Sequence, residues 1–253
     1  MRQRNVLSFP DRPGTCSDCA RVATCLGLGF EDGDPSSLLD LEVRSRVLRK
    51  HEKFINDGDR FHALYVVRSG AIKTFKTTET GEEQIIDFCL PGDVIGLDAI
   101  HSGRLNCHAI ALDTSSVCTL EFGEVERLCE KSAAFRRAFF RRLSASILRN
   151  ENFLVTMGTR DAYQRLAAFL VTLLEYYGSH GYSRIEFVLP MSRADIADYL
   201  NLAVETVSRL FSRLQSENCV QIKRSSVSIM DLDGLYGAAG MTLPDTRLRA
   251  SMQ

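Results

Sequence analysis

Apolar residues change their spacing once along this chain of 253 residues, and that change limits the fold more than any other feature. In the first half they fall in short runs: "FHALYVVRSGAIKTFKT", "EEQIIDFCL", "VIGLDAI" and "CHAIALDTSSVCTLEF". Glycine-containing turns divide the runs: "NDGD", "RSG", "TETGEE", "PGD" and "HSG". Strands of this length between turns at fairly even spacing predict a small antiparallel barrel or roll. Two of the turns share a Gly-Asp pair, Gly58–Asp59 and Gly92–Asp93, each placed before a strand. Ahead of the roll, "PSSLLDLEVRSRV" predicts a short amphipathic helix capped by Ser36 or Ser37.

Beyond "EFGEVERLCEKSAAF" the pattern becomes helical and long. Phe140, Leu143, Ile147, Leu154 and Met157 follow alternating steps of three and four, and Asn150 fills the vacant position between them. Such an a/d seam of about three heptads predicts a helix that pairs with a second copy, the Asn costing stability while fixing register. An amphipathic helix packed on its own domain is the alternative. "TRDAYQRLAAFLVTLLEYYG" is a further amphipathic helix, expected to end at Gly178.

The next stretch, "MSRADIADYLNLAVETVSRLFSRLQSENCVQIKRSSVSIMD", holds two short helices around a tight "NLA" turn. Ser192 is a natural N-cap for the first, which buries Ile196 and Leu200. The second turns Val207, Leu210 and Leu214 to one face. Two helices so joined make a helix-turn-helix, and the two short strands that follow around a basic turn make a wing. On the second helix Glu205, Ser208 and Arg209 share the face opposite the apolar stripe. Arginine grips guanine O6 and N7, glutamate accepts from cytosine N4, and serine suits either. Arg213, Arg193, Lys223 and Arg224 are candidates for phosphate contacts, a solvated charged face being the plainer alternative.

Composition decides less. Hydrophobic residues at 45% and charged residues at 25% fit a globular protein. A formal net charge of −1 means that DNA contact has to come from a local basic patch. No apolar run reaches the length of a membrane span, and "MRQRNVLSFPDRPGTC" lacks the apolar core of a signal peptide, so a cytoplasmic location is expected. P-loop, G-x-S-x-G and H-E-x-x-H motifs are absent from the sequence, as is any carboxylate pair spaced for acid–base work, so no enzyme is expected.

Eight cysteines remain to be explained, three of them in "CSDCARVATC": Cys16, Cys19 and Cys25, in a C-x2-C-x5-C pattern. A reducing compartment disfavours disulfides and leaves zinc, an iron–sulfur cluster or no role at all. Thiolates serve zinc and iron–sulfur clusters alike. The expected organisation is a cysteine-rich arm over 1–30, a β-roll over 31–125, a dimerisation helix over 126–158 and a winged helix-turn-helix over 159–253, an α+β chain.

That order resembles the cyclic-AMP receptor family of bacterial transcription regulators. Within it the chain is most similar to the branch of fumarate and nitrate reduction regulators (FNR), over residues 16 to about 235. The matching segments are C-x2-C-x5-C, "LYVVRSGAIK", "GEEQI", "LDTSSVC", "RLAAFL", "MSRADIADYLNLAVETVSR" and the Glu205, Ser208, Arg209 trio. The resemblance implies a [4Fe–4S] cluster held by Cys16, Cys19, Cys25 and Cys118, with Cys89, Cys107, Cys129 and Cys219 as core or incidental thiols. It implies an oxygen-responsive homodimer that binds double-stranded DNA at TTGAT-type inverted repeats and touches RNA polymerase through the turn holding Gly81 and Glu82. Cyclic-AMP binders carry an Arg-Ser pair where this chain has Asn106 and Cys107, so no cyclic AMP is expected. TGTGA readers have an Arg before the recognition Glu, where this chain has Val204. The residues between the cysteine ligands depart from familiar members, which bears on oxygen sensitivity. The alternatives are a relative sensing haem or nitric oxide, with His108 a conceivable ligand, or a regulator with a structural zinc site.

Overall fold

The computed structural model describes residues 12–15, 42–180, 182–183 and 185–243. The chain divides between Ser146 and Ile147 into two compact units.

The first unit holds two antiparallel sheets. Its strands are β1 (Arg12–Thr15), β2 (Glu42–Leu48), β3 (Lys53–Ile55), β4 (Ala63–Ser69), β5 (Ile72–Thr77), β6 (Glu83–Cys89), β7 (Val94–Ile95), β8 (His108–Ala111) and β9 (Ser115–Glu121). One sheet has the order β1-β2-β9-β4-β7 and the other β3-β8-β5-β6. Between them lie Leu48, Ile55, Val67, Ile72, Ala109 and Val117. The five-stranded sheet is covered on its other face too, where Leu64, Val66 and Leu120 meet Val125, Leu128, Phe135 and Phe139. This double burial explains why β4 reads as a continuous apolar run, "ALYVV", rather than an alternation.

The helices that cover this face are α2 (Phe122–Lys131) and α3 (Ala133–Thr159), following a single short turn of helix, α1 (Ala99–Ser102). The expected long helix is therefore two. Ser132 is extended (φ −126, ψ 110) and closes α2, while its Oγ accepts from Phe135 N at 3.2 Å to open α3. The end of "VIGLDAI" also departs from expectation, since only Val94–Ile95 is strand and Ala99–Ser102 is helix.

The helix expected over "PSSLLDLEVRSRV" is corrected in its described part, which is the strand β2. Val43 and Leu48 are buried while Arg44 and Arg46 are exposed, and β2 pairs along β9 from Arg44↔Thr119 to Leu48↔Ser115. An open edge on β9 needed a partner, and ladder hydrogen bonds outweigh a weak helical pattern.

The second unit contains α4 (Ala162–Ser179), β10 (Glu186–Val188), α5 (Arg193–Tyr199), α6 (Val204–Ser216), β11 (Val220–Lys223), β12 (Ser226–Ile229) and α7 (Leu232–Ala238). Asp161 and Gln164 form a capping box at the start of α4. Helix α4 runs through Gly178 to Ser179, with His180 as its cap, so Gly178 does not end it. The wing is a three-stranded sheet of order β10-β12-β11.

The "RSG" turn shows why one glycine is obligatory. Gly70 has φ +79, and a Cβ there would sit 2.3 Å from Ser115 Oγ and 2.6 Å from Asp113 Oδ1. Those two oxygens accept from Ala71 N, at 3.1 and 2.9 Å. Gly70→Ala is expected to destabilise the roll by about 2–4 kcal/mol, through strain and loss of the buried turn hydrogen bonds. Urea unfolding of the two proteins measures this, and an unchanged midpoint would contradict it.

Candidate functional site

The recognition element is built from its caps inward. Ser192 Oγ accepts from Asp195 N at 3.1 Å, and Asp195 Oδ2 accepts from Ser192 N at 2.9 Å, a reciprocal box that starts α5 where expected. Asn201 takes the left-handed conformation (φ 53) in the turn, and Leu202 N donates to Ala197 O. Helix α6 then buries Val207, Phe211 and Leu214. Phe211, rather than the half-buried Leu210, completes the stripe, and its step of four from Val207 was the signal for it.

Glu205, Ser208 and Arg209 lie exposed on the opposite side of α6. Ser208 Oγ donates to Val204 O at 3.0 Å, which leaves its lone pairs free to accept. Arg209 Nη2 is 3.4 Å from Thr206 Oγ1, the long edge of a hydrogen bond. Lys223 and Arg224 are exposed on the wing, where Arg224 adopts a left-handed turn conformation (φ 58).

Two expected phosphate contacts are already engaged. The Arg193 guanidinium lies 3.3 Å from the centroid of the Phe211 ring, and burial lowers its pKa. It therefore braces α5 on α6 rather than facing outward. Arg213 Nε donates to Glu217 Oε1 at 2.7 Å, and its guanidinium lies 4.0 Å from the Tyr163 ring centroid. The Tyr163 hydroxyl donates to the same carboxylate. Glu217 is held below the usual carboxylate range, by Tyr163 first and Arg213 second, while burial and Glu217 push the phenol up. Arg213 and Glu217 stand at i and i+4, a spacing the sequence shows, whereas it gave no sign of Tyr163, which is far from both in the chain.

On the sensor side, Cys118 sits at the middle of β9, paired with Ser45 on β2 and Val66 on β4. It is half-buried and packs against the core that seats α2 and α3. Cys16, Cys19 and Cys25 lie outside the described residues. The strand β1 ends at Thr15, one residue before Cys16, and pairs with β2, the neighbour of β9. Among the described residues no three His, Cys, Asp or Glu side chains gather as a metal-binding group. Among the described residues Cys89, Cys107 and Cys219 are buried and Cys129 half-buried, none of them in a disulfide.

Asn106 is hydrogen-bonded through Nδ2 to Ser102 Oγ at 3.3 Å, and Cys107 points into the roll interior, where burial pushes its thiol up to about 12. His108 Nδ1 accepts from Asp57 N at 3.1 Å and the ring packs on Phe75, so that nitrogen is committed to the backbone. Gly81 has φ 84 at the tip of the β5–β6 hairpin, where Glu82 is exposed and Glu82 N donates to Thr78 Oγ1 at 3.1 Å.

Along α3 the expected seam is partly displaced. Phe140, Ile147 and Leu154 are exposed, together with Leu148 and Val155, five apolar side chains between 57% and 69% accessible. Leu143 instead packs against the roll, Asn150 is exposed and Met157 is half-buried. Leu148 and Val155 were not foreseen, because each follows a seam residue by one position, outside the a/d pattern.

A β-roll, a long helix with an exposed apolar stripe and a winged helix-turn-helix define a class of DNA-binding regulators. The Crp-like helix-turn-helix domain family matches residues 164–237, and the cyclic nucleotide-binding domain family matches residues 45–132. The chain is 38% identical to the transcriptional activator protein Anr of Pseudomonas aeruginosa, over 89% of this chain and 92% of that protein. It is 37% identical to the transcriptional activator protein FnrA of Stutzerimonas stutzeri (90% and 94% covered). With the fumarate and nitrate reduction regulatory protein of Salmonella typhimurium it shares 35% (90% and 91%). Its fold is similar to that of FixK2 from Bradyrhizobium japonicum, with a TM-score of 0.71 at 26% identity over 80% of this chain and 99% of that one. The chain belongs to the FNR branch of the CRP/FNR family of bacterial transcription regulators. It is a regulator and not an enzyme. Among the described residues no helix is long and apolar enough to cross a membrane.

The raised pKa of Cys107 keeps the thiol protonated, and thus unreactive, at neutral pH. At pH 8, iodoacetamide is expected to leave Cys107 unmodified until the protein is unfolded, as read by peptide mass spectrometry. Rapid labelling of the folded protein would contradict the packing described for the roll.

Proposed function

We propose that this chain is an oxygen-responsive transcription activator. In this reading Cys16, Cys19, Cys25 and Cys118 hold a [4Fe–4S] cluster, and the dimer binds TTGAT-type inverted repeats. The observation that carries the proposal is the position of Cys118, half-buried on β9 and packed against the core that seats α3, with β1 leading toward Cys16 two strands away. Four thiolates are the donor set that such a cluster takes. When bound, the cluster would supply reactivity toward oxygen, and its loss would free the arm.

The chain's own residues do the rest. With the arm held on β9, the core around Leu120, Phe135 and Phe139 keeps α3 seated and its Phe140, Ile147, Leu148, Leu154 and Val155 stripe turned outward. A second copy covers the stripe, and the two recognition helices then lie about one DNA turn, ~34 Å, apart. Asn150, at the edge of the stripe, weakens that pairing, so a modest bias shifts the population. Glu205, Ser208 and Arg209 read base edges, Lys223 and Arg224 approach phosphates, and Arg213 and Arg193 join only if they leave Glu217 and Phe211. The exposed tip at Gly81 and Glu82 is offered to RNA polymerase. No cyclic nucleotide enters the scheme, since Asn106 and Cys107 provide neither the cation nor the hydroxyl a cyclic phosphate needs.

Purification without air tests the reading. The expected product is brown, with iron and sulfide near equal, and Ser substitutions at Cys16, Cys19, Cys25 or Cys118 abolish the colour. A colourless protein holding zinc, or a Cys118→Ser variant with a full complement of iron, would contradict it. Independently, Arg209→Ala is expected to weaken specific binding by about 1–3 kcal/mol and relax preference at a single base pair.

A further inference from the structure

The turn before β7 is tied to α3 by a shielded ion pair. Arg142 Nη2 donates to Asp93 Oδ1 and to Gly92 O, each at 3.0 Å. The side chains are 4% accessible for Asp93 and 20% for Arg142. The turn is itself fixed: Asp93 Oδ2 accepts from Leu90 N at 2.9 Å, Asp93 O accepts from Val67 N at 3.0 Å, and Gly92 N donates to Val67 O at 2.8 Å. It also adjoins a continuous row across the sheet, Val94↔Val66↔Cys118.

The helix geometry makes this contact directional. At ~100° per residue, Arg142 points about 140° away from Ile147 and about 160° away from Phe140. Phe135, Phe139 and Leu143 pack toward the roll, and the exposed stripe runs beside them, farther round the helix from Arg142. Apolar packing alone allows a helix to roll over its seat, whereas a forked hydrogen bond to a rigid turn fixes one setting.

We propose that the Asp93–Arg142 pair sets the rotation of α3 on the β-roll, making Arg142 the positioning residue that presents the Phe140–Ile147–Leu154 stripe to a second copy of this chain. This rests on the dimer reading above. Neither Asp93 nor Arg142 needs to touch the partner.

The test uses full-length protein prepared without air. Sedimentation equilibrium is run on wild type, R142M, D93N, the double variant and I147E, with thermal unfolding of each. R142M keeps the bulk of the stem and removes the fork, so the fold survives even if D93N does not. R142M is expected to lower the roll unfolding midpoint, since it removes a charge partner of the buried Asp93, and to weaken dimerisation about tenfold at a temperature where the protein stays folded, with the double variant no weaker than R142M. R142M dimerising like wild type, or losing dimer only in step with lost folded protein, overturns the assignment of Arg142 while I147E still reports on the stripe. If I147E assembles as wild type does, the dimer reading itself fails.

Discussion

The ladder that β9 makes with β2 on one side and β4 on the other constrains the rest of the sensor unit. This strand is covered on both faces, Val117 toward the roll interior and Leu120 toward α2 and α3. A strand so placed cannot shift by one residue without exchanging its two sets of side chains. Cys118 is therefore fixed on the helix-facing side, among residues whose packing seats α3. Any chemistry at that sulfur acts next to the packing that holds Phe135 and Phe139 of α3.

The DNA-binding unit is organised by packing rather than by charge. Ile196, Leu200, Val207, Phe211 and Leu214 are all buried, and their common core turns Glu205, Ser208 and Arg209 outward. Truncating a buried phenylalanine costs about 3–5 kcal/mol, whereas the Arg213–Glu217 pair lies at the surface, where water screens it. Arg193 belongs to this core through its stack on Phe211. Among the described residues, Arg209, Lys223 and Arg224 are exposed positive charges on this unit of a chain whose formal net charge is −1.

What the sequence made legible follows from the range of the forces involved. The roll strands, the cap at Ser192 and the wing depend on local period, caps and turns, and all could be read. The strand at Glu42–Leu48 could not, because its pairing partner, β9, lies some seventy residues on. The break at Ser132 was missed because a serine inside an amphipathic run is unremarkable until its neighbours show that it caps. Leu148 and Val155 escaped a strict heptad, and the contact of Arg213 with the Tyr163 ring, like the pairing of Arg142 with Asp93, joins residues that only the tertiary fold brings together. Three of the four expected cluster ligands, Cys16, Cys19 and Cys25, lie outside the described residues, so their assignment rests on the motif and on the position of Cys118.

The most direct test of the account is the affinity of one anaerobic preparation for a duplex bearing a TTGAT-type inverted repeat, measured by fluorescence anisotropy at fixed salt before and after air is admitted. The account predicts tight binding without oxygen, and loss of both the visible band and the specific affinity once oxygen enters, with Cys118→Ser weak under both conditions. Equal affinity in the two conditions, or a Cys118→Ser variant that binds as wild type does, would contradict it.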